Sequence, residues 1–378
     1  MWVLGTQSNQ IGGFKIDDYT GNLTPTVGSP YSSQGTNPVM LALKSGGRFL
    51  YVLNAGDSTG KTGYISLFSV GGDGVLSFQN KFYSQGTFPV WITTDPSGNY
   101  LFELDQRAPD YDGVTNFNGS ITAFSLDSNT GRASLITNAQ VHLPGTQIPL
   151  TYFEVGNKPI QMRTTSSCIY TLDSGDQTIF PYALGASNGQ LTQPTNSTVA
   201  LGTANATSVN IGSSSYVYVT DAGSGAGSIL PYTQSGNCSL STVTGGTTQN
   251  LPTASYPVQT VTYTSGGNSY VYVLNQSTQG ANYANSSISA FTVEPTGELQ
   301  ALAPSATSSN PYIVGNGPVC LAIDPTSQYL YTSNQASSTV TGALLSSKFG
   351  TFSPLTRGST FPTVGTPSCL VISNNTGY

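Results

Sequence analysis

Few residues of this chain could do chemistry. Charged side chains make up 7% of 378 residues, with one histidine, His142, and five arginines: Arg48, Arg107, Arg132, Arg163 and Arg357. The most acidic loop-like segment, DYDGVTNFN at 110–118, offers Asp110, Asp112, Asn116 and Asn118. Oxygen ligands of this kind suit calcium, but the full EF-hand spacing and its bidentate glutamate are missing. A loop made polar for solvation competes with that reading. Four cysteines, Cys168, Cys238, Cys320 and Cys369, suit either disulfides in an exported protein or buried thiols that pack as small apolar groups. No Cys/His zinc pattern, glycine-rich phosphate loop or nucleophile elbow is present. The expectation is therefore no cofactor, with calcium the one alternative these residues suggest.

Composition excludes whole classes of partner. The net charge is −6 and no Lys/Arg run occurs, which argues against a nucleic-acid footprint and against polybasic membrane attraction. No apolar run is long enough to span a bilayer as a helix. Low charge with abundant hydroxyl and amide groups points to an extracytoplasmic protein, secreted, periplasmic or on the cell surface. The opening MWVLGTQ lacks the regions of a signal peptide, so the expected export signal is not in this chain. Eight Asn-X-Ser/Thr sequons, starting at Asn22, Asn118, Asn196, Asn205, Asn237, Asn275, Asn285 and Asn374, matter only in a host that glycosylates.

The elements that must position these residues are short strands. Gly 43 and Pro 22 punctuate the sequence, and no helical segment keeps a 3.6 period, so the class is all-β. The phrase PVCLAIDPTSQYLYTSN at Pro318 has equivalents at Pro38, Pro89, Pro159, Pro257 and Pro367, with Ala206 replacing proline in one copy. A first strand follows each, its fourth residue being Leu41, Ile92, Met162, Val209, Thr260, Leu321 or Leu370. The second strand ends in Asn54, Asp105, Asp173, Asp221, Asn275 or Asn334. Capping of an Asx-turn explains that recurrence better than a ring of metal ligands does. Third strands carry Ile or Val and then an aromatic, as in Ile65/Phe68, before a turn glycine such as Gly74 or Gly131.

Residues 1–37 supply second, third and fourth strands, and PSCLVIS from Pro367 supplies a lone first strand. Six complete repeats and one shared between the termini make a seven-bladed β-propeller of four-stranded antiparallel blades. The blades start near 38, 89, 159, 206, 257 and 318, with a composite blade of 1–37 plus 367–378, in one domain spanning 1–378. In this scheme Cys168 opens a second strand and Cys238 lies in a turn of the next blade, which favours their pairing. Cys320 and Cys369 occupy equivalent inner-strand positions, which should point in the same rotational sense and pair less readily.

The tetrads YVLN, YTSN and YVTD, with DPSGNYLF and DPTSQYLY, resemble the Tyr-Val-Thr-Asn repeat propellers and the lactonase-type family that includes bacterial 6-phosphogluconolactonases. The resemblance covers essentially the whole chain and implies the propeller fold. It also implies a catalytic cluster of His, Arg and Glu around the channel, for which His142, Arg163, Glu154 and Arg107 are the candidates here. Long segments at 105–118, 137–158, 275–286 and 302–317 fall on one face, the expected binding surface. With so little ionisable chemistry, the expected function is a non-catalytic extracytoplasmic binding module or a surface or filament assembly subunit. It would engage protein or glycan at the long-loop face, or associate with itself. The alternative is a lactonase-type hydrolase acting on a sugar lactone.

Overall fold

Each repeat folds as a small antiparallel sheet, and the computed structural model contains seven. The structure describes every residue except 195–197, 204, 213–215, 224–225, 244–247, 279–280, 305–308 and 374–378. The sequons at Asn196 and Asn374 lie outside the described residues. Blade 1 begins with inner strand Pro38–Leu43, blade 2 with Thr87–Thr94 and blade 3 with Pro159–Thr164. Blade 4 begins with Ala206–Ile211, blade 5 with Ser255–Ser265 and blade 6 with Pro318–Ile323. Blade 7 joins Pro367–Val371 to Trp2–Gly5 and Gln10–Ile16. Inner strands of successive blades touch in ring order, and Pro367–Val371 touches its neighbours on both sides, so one chain closes the ring.

One register repeats in all seven sheets. The fourth residue counted from each repeat's leading Pro or Ala faces the second strand in the pairs Leu41–Val52, Ile92–Glu103, Met162–Thr171, Val209–Val219, Thr260–Val273, Leu321–Thr332 and Leu370–Val3. These inner-strand residues are buried between blades, each removing an apolar or methyl-bearing side chain from water. Every inner strand also carries a bulge just after the repeat's leading Pro or Ala, which breaks the pairing and re-aims the next side chain.

The recurring tyrosine and turn glycine latch one blade to the next. Tyr51 donates to the Gly131 carbonyl at 2.7 Å, Tyr272 to Gly350 at 3.0 Å and Tyr331 to Gly21 at 2.6 Å. The residue opening each second strand packs on the same turn: a Cβ on Gly131 would meet the Phe49 ring at 2.6 Å, and one on Gly350 the Tyr270 ring at 2.4 Å. Cysteines occupy both of these positions between blades 3 and 4, and Cys168 and Cys238 form a disulfide. The bridge is a covalent version of a contact made elsewhere by a ring on a glycine.

Two expectations need correction. The second-strand Asn and Asp side chains are mostly not turn caps. Asn54 donates to Ser66 Oγ at 3.0 Å, Asn275 to Ser289 Oγ at 3.0 Å and Asn334 to Thr341 Oγ1 at 2.9 Å, all buried bonds to the third strand. Asp105 instead accepts from the Gly86 N–H, in the segment entering its own blade. Asp221 does close a local turn, accepting from the Gly223 N–H at 3.2 Å. Turn capping otherwise falls to residues such as Asp95 and Asp324, which accept from Ser97 and Thr326 N–H groups.

The fourth strand is also divided. Blade 1 has a continuous outer strand, Leu76–Phe82, but in each other blade two short pieces pair with the third strand. In blade 2 these are Ala133–Ile136 and Phe153–Asn157, so residues 137–152 leave the sheet from its outer edge rather than from the channel face. Blade 5 does the same between Leu299–Ala301 and Tyr312–Ile313.

Candidate functional site

The bulges direct the residue two positions after each repeat's leading Pro or Ala toward the neighbouring strand and the axis. These positions hold Met40, Trp91, Gln161, Ser208, Gln259, Cys320 and Cys369. Gln161 Oε1 accepts from the Val209 N–H at 2.6 Å and Gln259 Oε1 from the Leu321 N–H at 2.5 Å, each satisfying backbone of the next blade. Ser208 Oγ lies 2.9 Å from Thr260 Oγ1 in the same manner. Side chains thus stitch the ring where inner strands do not hydrogen-bond directly.

Arg163, on the inner strand of blade 3, extends into this ring. Its guanidinium lies over the Trp91 ring, 4.7 Å from the centroid. Cys320 and Cys369, from strands on the other side of the ring, are near enough to act on its charge. Burial pulls its pKa down to about 10, so it stays cationic at neutral pH. Arg163 Nε and Trp91 Nε1 are both buried donors without an acceptor among the described residues. A cation held by stacking on an indole, with a donor left over, suits an oxyanion, a carboxylate or a phosphate.

The other residues singled out from the sequence do not join Arg163. Arg107 ends the second strand of blade 2 and lies 4.1 Å from the Phe88 centroid and 4.7 Å from that of Tyr111. Glu154 sits on the upper piece of the fourth strand opposite Ser120, about 14 Å from its own inner strand at the usual strand spacing. Its carboxylate accepts from Asn116 Nδ2 at 3.4 Å. His142 is exposed on the 137–152 excursion, bridged to Pro149. In the 110–118 loop, Asp112 accepts from the N–H groups of Val114, Thr115 and Asn116, each at 2.8 Å, and from Thr115 Oγ1 at 2.5 Å. Asn116 Oδ1 accepts from the Asn118 N–H at 2.9 Å. Among the described residues no group of three or more His, Cys, Asp or Glu is placed to hold a metal ion.

Sequence reasoning missed two features. Trp91 had a readable signal: it interrupts a register position filled elsewhere by smaller or polar side chains. Glu103 had one too, an acid where the other blades have Val or Thr. Its two carboxyl oxygens are buried without a hydrogen-bond partner among the described residues, and burial followed by the charge of Asp105 pushes its pKa well up. Burial raises Asp105 to about 7 against the bonds from Gly86 and Ser84. A groove of about 780 Å³ also runs along the outer edge of blade 6, but Lys348 is the sole ionisable side chain among its lining residues.

Solved structures share this architecture at low identity. A periplasmic gluconolactonase from Pseudomonas aeruginosa is 17% identical, with a TM-score of 0.64 over 97% of both chains. A Bacteroides fragilis protein assigned provisionally as a 6-phosphogluconolactonase is 16% identical, with a TM-score of 0.67 over 97% of this chain and 96% of that one. A Lactobacillus plantarum protein is 17% identical, with a TM-score of 0.68 over 98% of both. The search of curated proteins found no match. The model of the lactonase family, described as a seven-bladed β-propeller, matches residues 3–372. This match corrects the expectation of a non-catalytic binding or assembly module, which took scarce charge at the rim as absence of chemistry. The chain belongs to the lactonase family of seven-bladed β-propellers.

Proposed function

We propose that this protein hydrolyses a sugar lactone inside the ring, with Arg163 receiving the charge that develops on the carbonyl oxygen. The observation that carries the reading is the half-buried guanidinium at the axis, whose buried Nε, like the adjacent Trp91 Nε1, has no acceptor among the described residues. Family membership supports it, as do the lactonase names of the similar structures. Water adding to a lactone carbonyl places negative charge on that oxygen. Collapse then breaks the ring C–O bond, the leaving oxygen gains a proton, and a hydroxy acid is released. A cation already fixed by stacking stabilises that charge without reorganising. Trp91 supplies a neutral second donor, and the product carboxylate meets the same two groups. The partner is then a small sugar lactone rather than a protein, a glycan or a second copy. The Cys168–Cys238 disulfide and the periplasmic Pseudomonas neighbour support placing the protein outside the cytoplasm.

The test is base titration during hydrolysis of glucono-δ-lactone and its 6-phosphate. We expect acceleration of several orders of magnitude over the spontaneous rate. Arg163→Met should lower kcat/KM by about 10²–10³, the usual loss for one oxyanion donor. Spontaneous-rate hydrolysis of both lactones by folded protein would remove this reading.

A further inference from the structure

Cys320 and Cys369 sit at the same register on neighbouring inner strands, one in blade 6 and one in the C-terminal strand that completes blade 7. Their sulfurs are 2.6 Å apart, and both residues are buried, at 3% and 6% exposure. The sequence argument that one would face away fails for a geometric reason. Inner strands crowd together near the axis, and a cysteine is too short to carry its sulfur far from its own backbone. Cys320 reaches forward, as Gln161 and Gln259 do, and its Sγ accepts from the Leu370 N–H at 3.2 Å. It thereby meets the sulfur of Cys369. The hydrogen bond from Cys369 holds the Cys320 thiol below its usual range, and the Arg163 cation acts in the same direction. A thiol held in this way supplies the thiolate that oxidants attack.

We propose that Cys320 and Cys369 form a dithiol redox site whose oxidant is a hydroperoxide small enough to enter the ring. The Cys320 thiolate attacks hydrogen peroxide, breaking the O–O bond to give a sulfenic acid and hydroxide. The Cys369 thiol then displaces the sulfenic oxygen, forming the disulfide and releasing water. The two thiols lose two electrons in total, and peroxide takes them up. A dithiol reductant reverses the change. The bond fastens the terminal strand to blade 6, turning a non-covalent closure of the ring into a covalent one. This inference does not rest on the hydrolase reading, because the strand is part of the ring whatever the ring binds.

The experiment uses the full chain, reduced with a dithiol, freed of reductant and then treated with hydrogen peroxide. Alkylation under denaturing conditions and peptide mapping follow. The Cys320 and Cys369 peptides should be recovered joined, and reduction should separate them. The oxidised form should also melt higher than the reduced form, and by several degrees more in the wild type than in Cys369→Ser, where only Cys168–Cys238 can re-form. In Cys369→Ser, Cys320 should trap a sulfenic-acid reagent that the wild type does not retain. The proposal is overturned if both thiols remain alkylatable in the treated wild type, or if Cys320 is driven to sulfinic acid while Cys369 stays free. The wild-type map decides the matter even if the serine variant does not fold.

Discussion

The rim of blade 2 and the axis of the ring both carry ionisable side chains, but they differ in what those side chains already hold. At the rim, Asp112 is surrounded by its own loop's donors, Arg107 lies against two aromatic rings and Glu154 takes a bond from Asn116. At the axis, Arg163 and Trp91 are half-buried, and Arg163 Nε and Trp91 Nε1 are buried with no acceptor among the described residues. Loop length and polarity drew attention to the rim. An unfilled donor on a cation separates the axis from this rim, and that is the stronger mark of an anionic ligand.

Removing residues 367–378 is the harshest test of this contrast, because it takes away one inner strand. The melting temperature should fall by roughly 10 °C or more, and the exposed seam should drive association. Replacing 137–152 with a short link should lower the melting temperature far less, since it gives up only the small Ala108–Leu150–Tyr152 cluster. A monomeric truncation that melts like the parent would show that the terminal strand does not hold the ring.

Next in size is the loss at Arg163, set against the rim. Where Arg163→Met lowers kcat/KM about 10²–10³-fold, His142→Ala and Glu154→Ala should stay within about twofold. Equal losses at all three positions would move the chemistry to the rim. Cys238→Ser should cost about 2–4 kcal/mol in denaturant unfolding, since it opens a clip between residues 70 apart in sequence. A loss below ~0.5 kcal/mol would mean that packing between blades 3 and 4 suffices without the bond.

The smallest effect concerns Glu103 and Asp105, buried acids of blade 2 that lie off the axis. Burial raises both above the ordinary carboxylate range, Asp105 to about 7. Between about pH 4 and pH 7 the folded chain therefore keeps protons that the unfolded chain has lost. Their contribution to stability is full below pH 4 and declines as pH rises through 7. The double change Glu103→Gln with Asp105→Asn should flatten that part of the melting profile. An identical slope in the variant would mean that these acids are already ionised in the folded state.

The fold was legible because three signals, a leading proline, a terminal Asn or Asp and an Ile-aromatic pair, held one register through most of the copies. The first disulfide was legible for the same reason: register put Cys168 and Cys238 on facing elements. What the side chains at those positions do was harder to read. Asn54 and Asp105 recur where a turn begins, yet the turn is not their partner, because the neighbouring strand and the entering segment offer buried groups that sequence order hides. The divided outer strands were invisible because pieces of two to five residues carry no readable alternation. That error moved His142 and Glu154 toward the axis, and it left Arg163 as one of four equal candidates.

The divided outer strand also has an evolutionary consequence. A chain that leaves and re-enters the last strand midway can gain or lose residues there without altering the pairing of the three strands inside it. Blade 2 carries such a detour of sixteen residues, 137–152, while blade 1 has none. The periphery is thus free to vary in length and composition, and a peptide tag or a grafted loop placed between Ile136 and Phe153 should be tolerated. Selection on the axial residues and drift at the circumference can then proceed almost independently, which suits a scaffold that keeps its ring while its outline diverges.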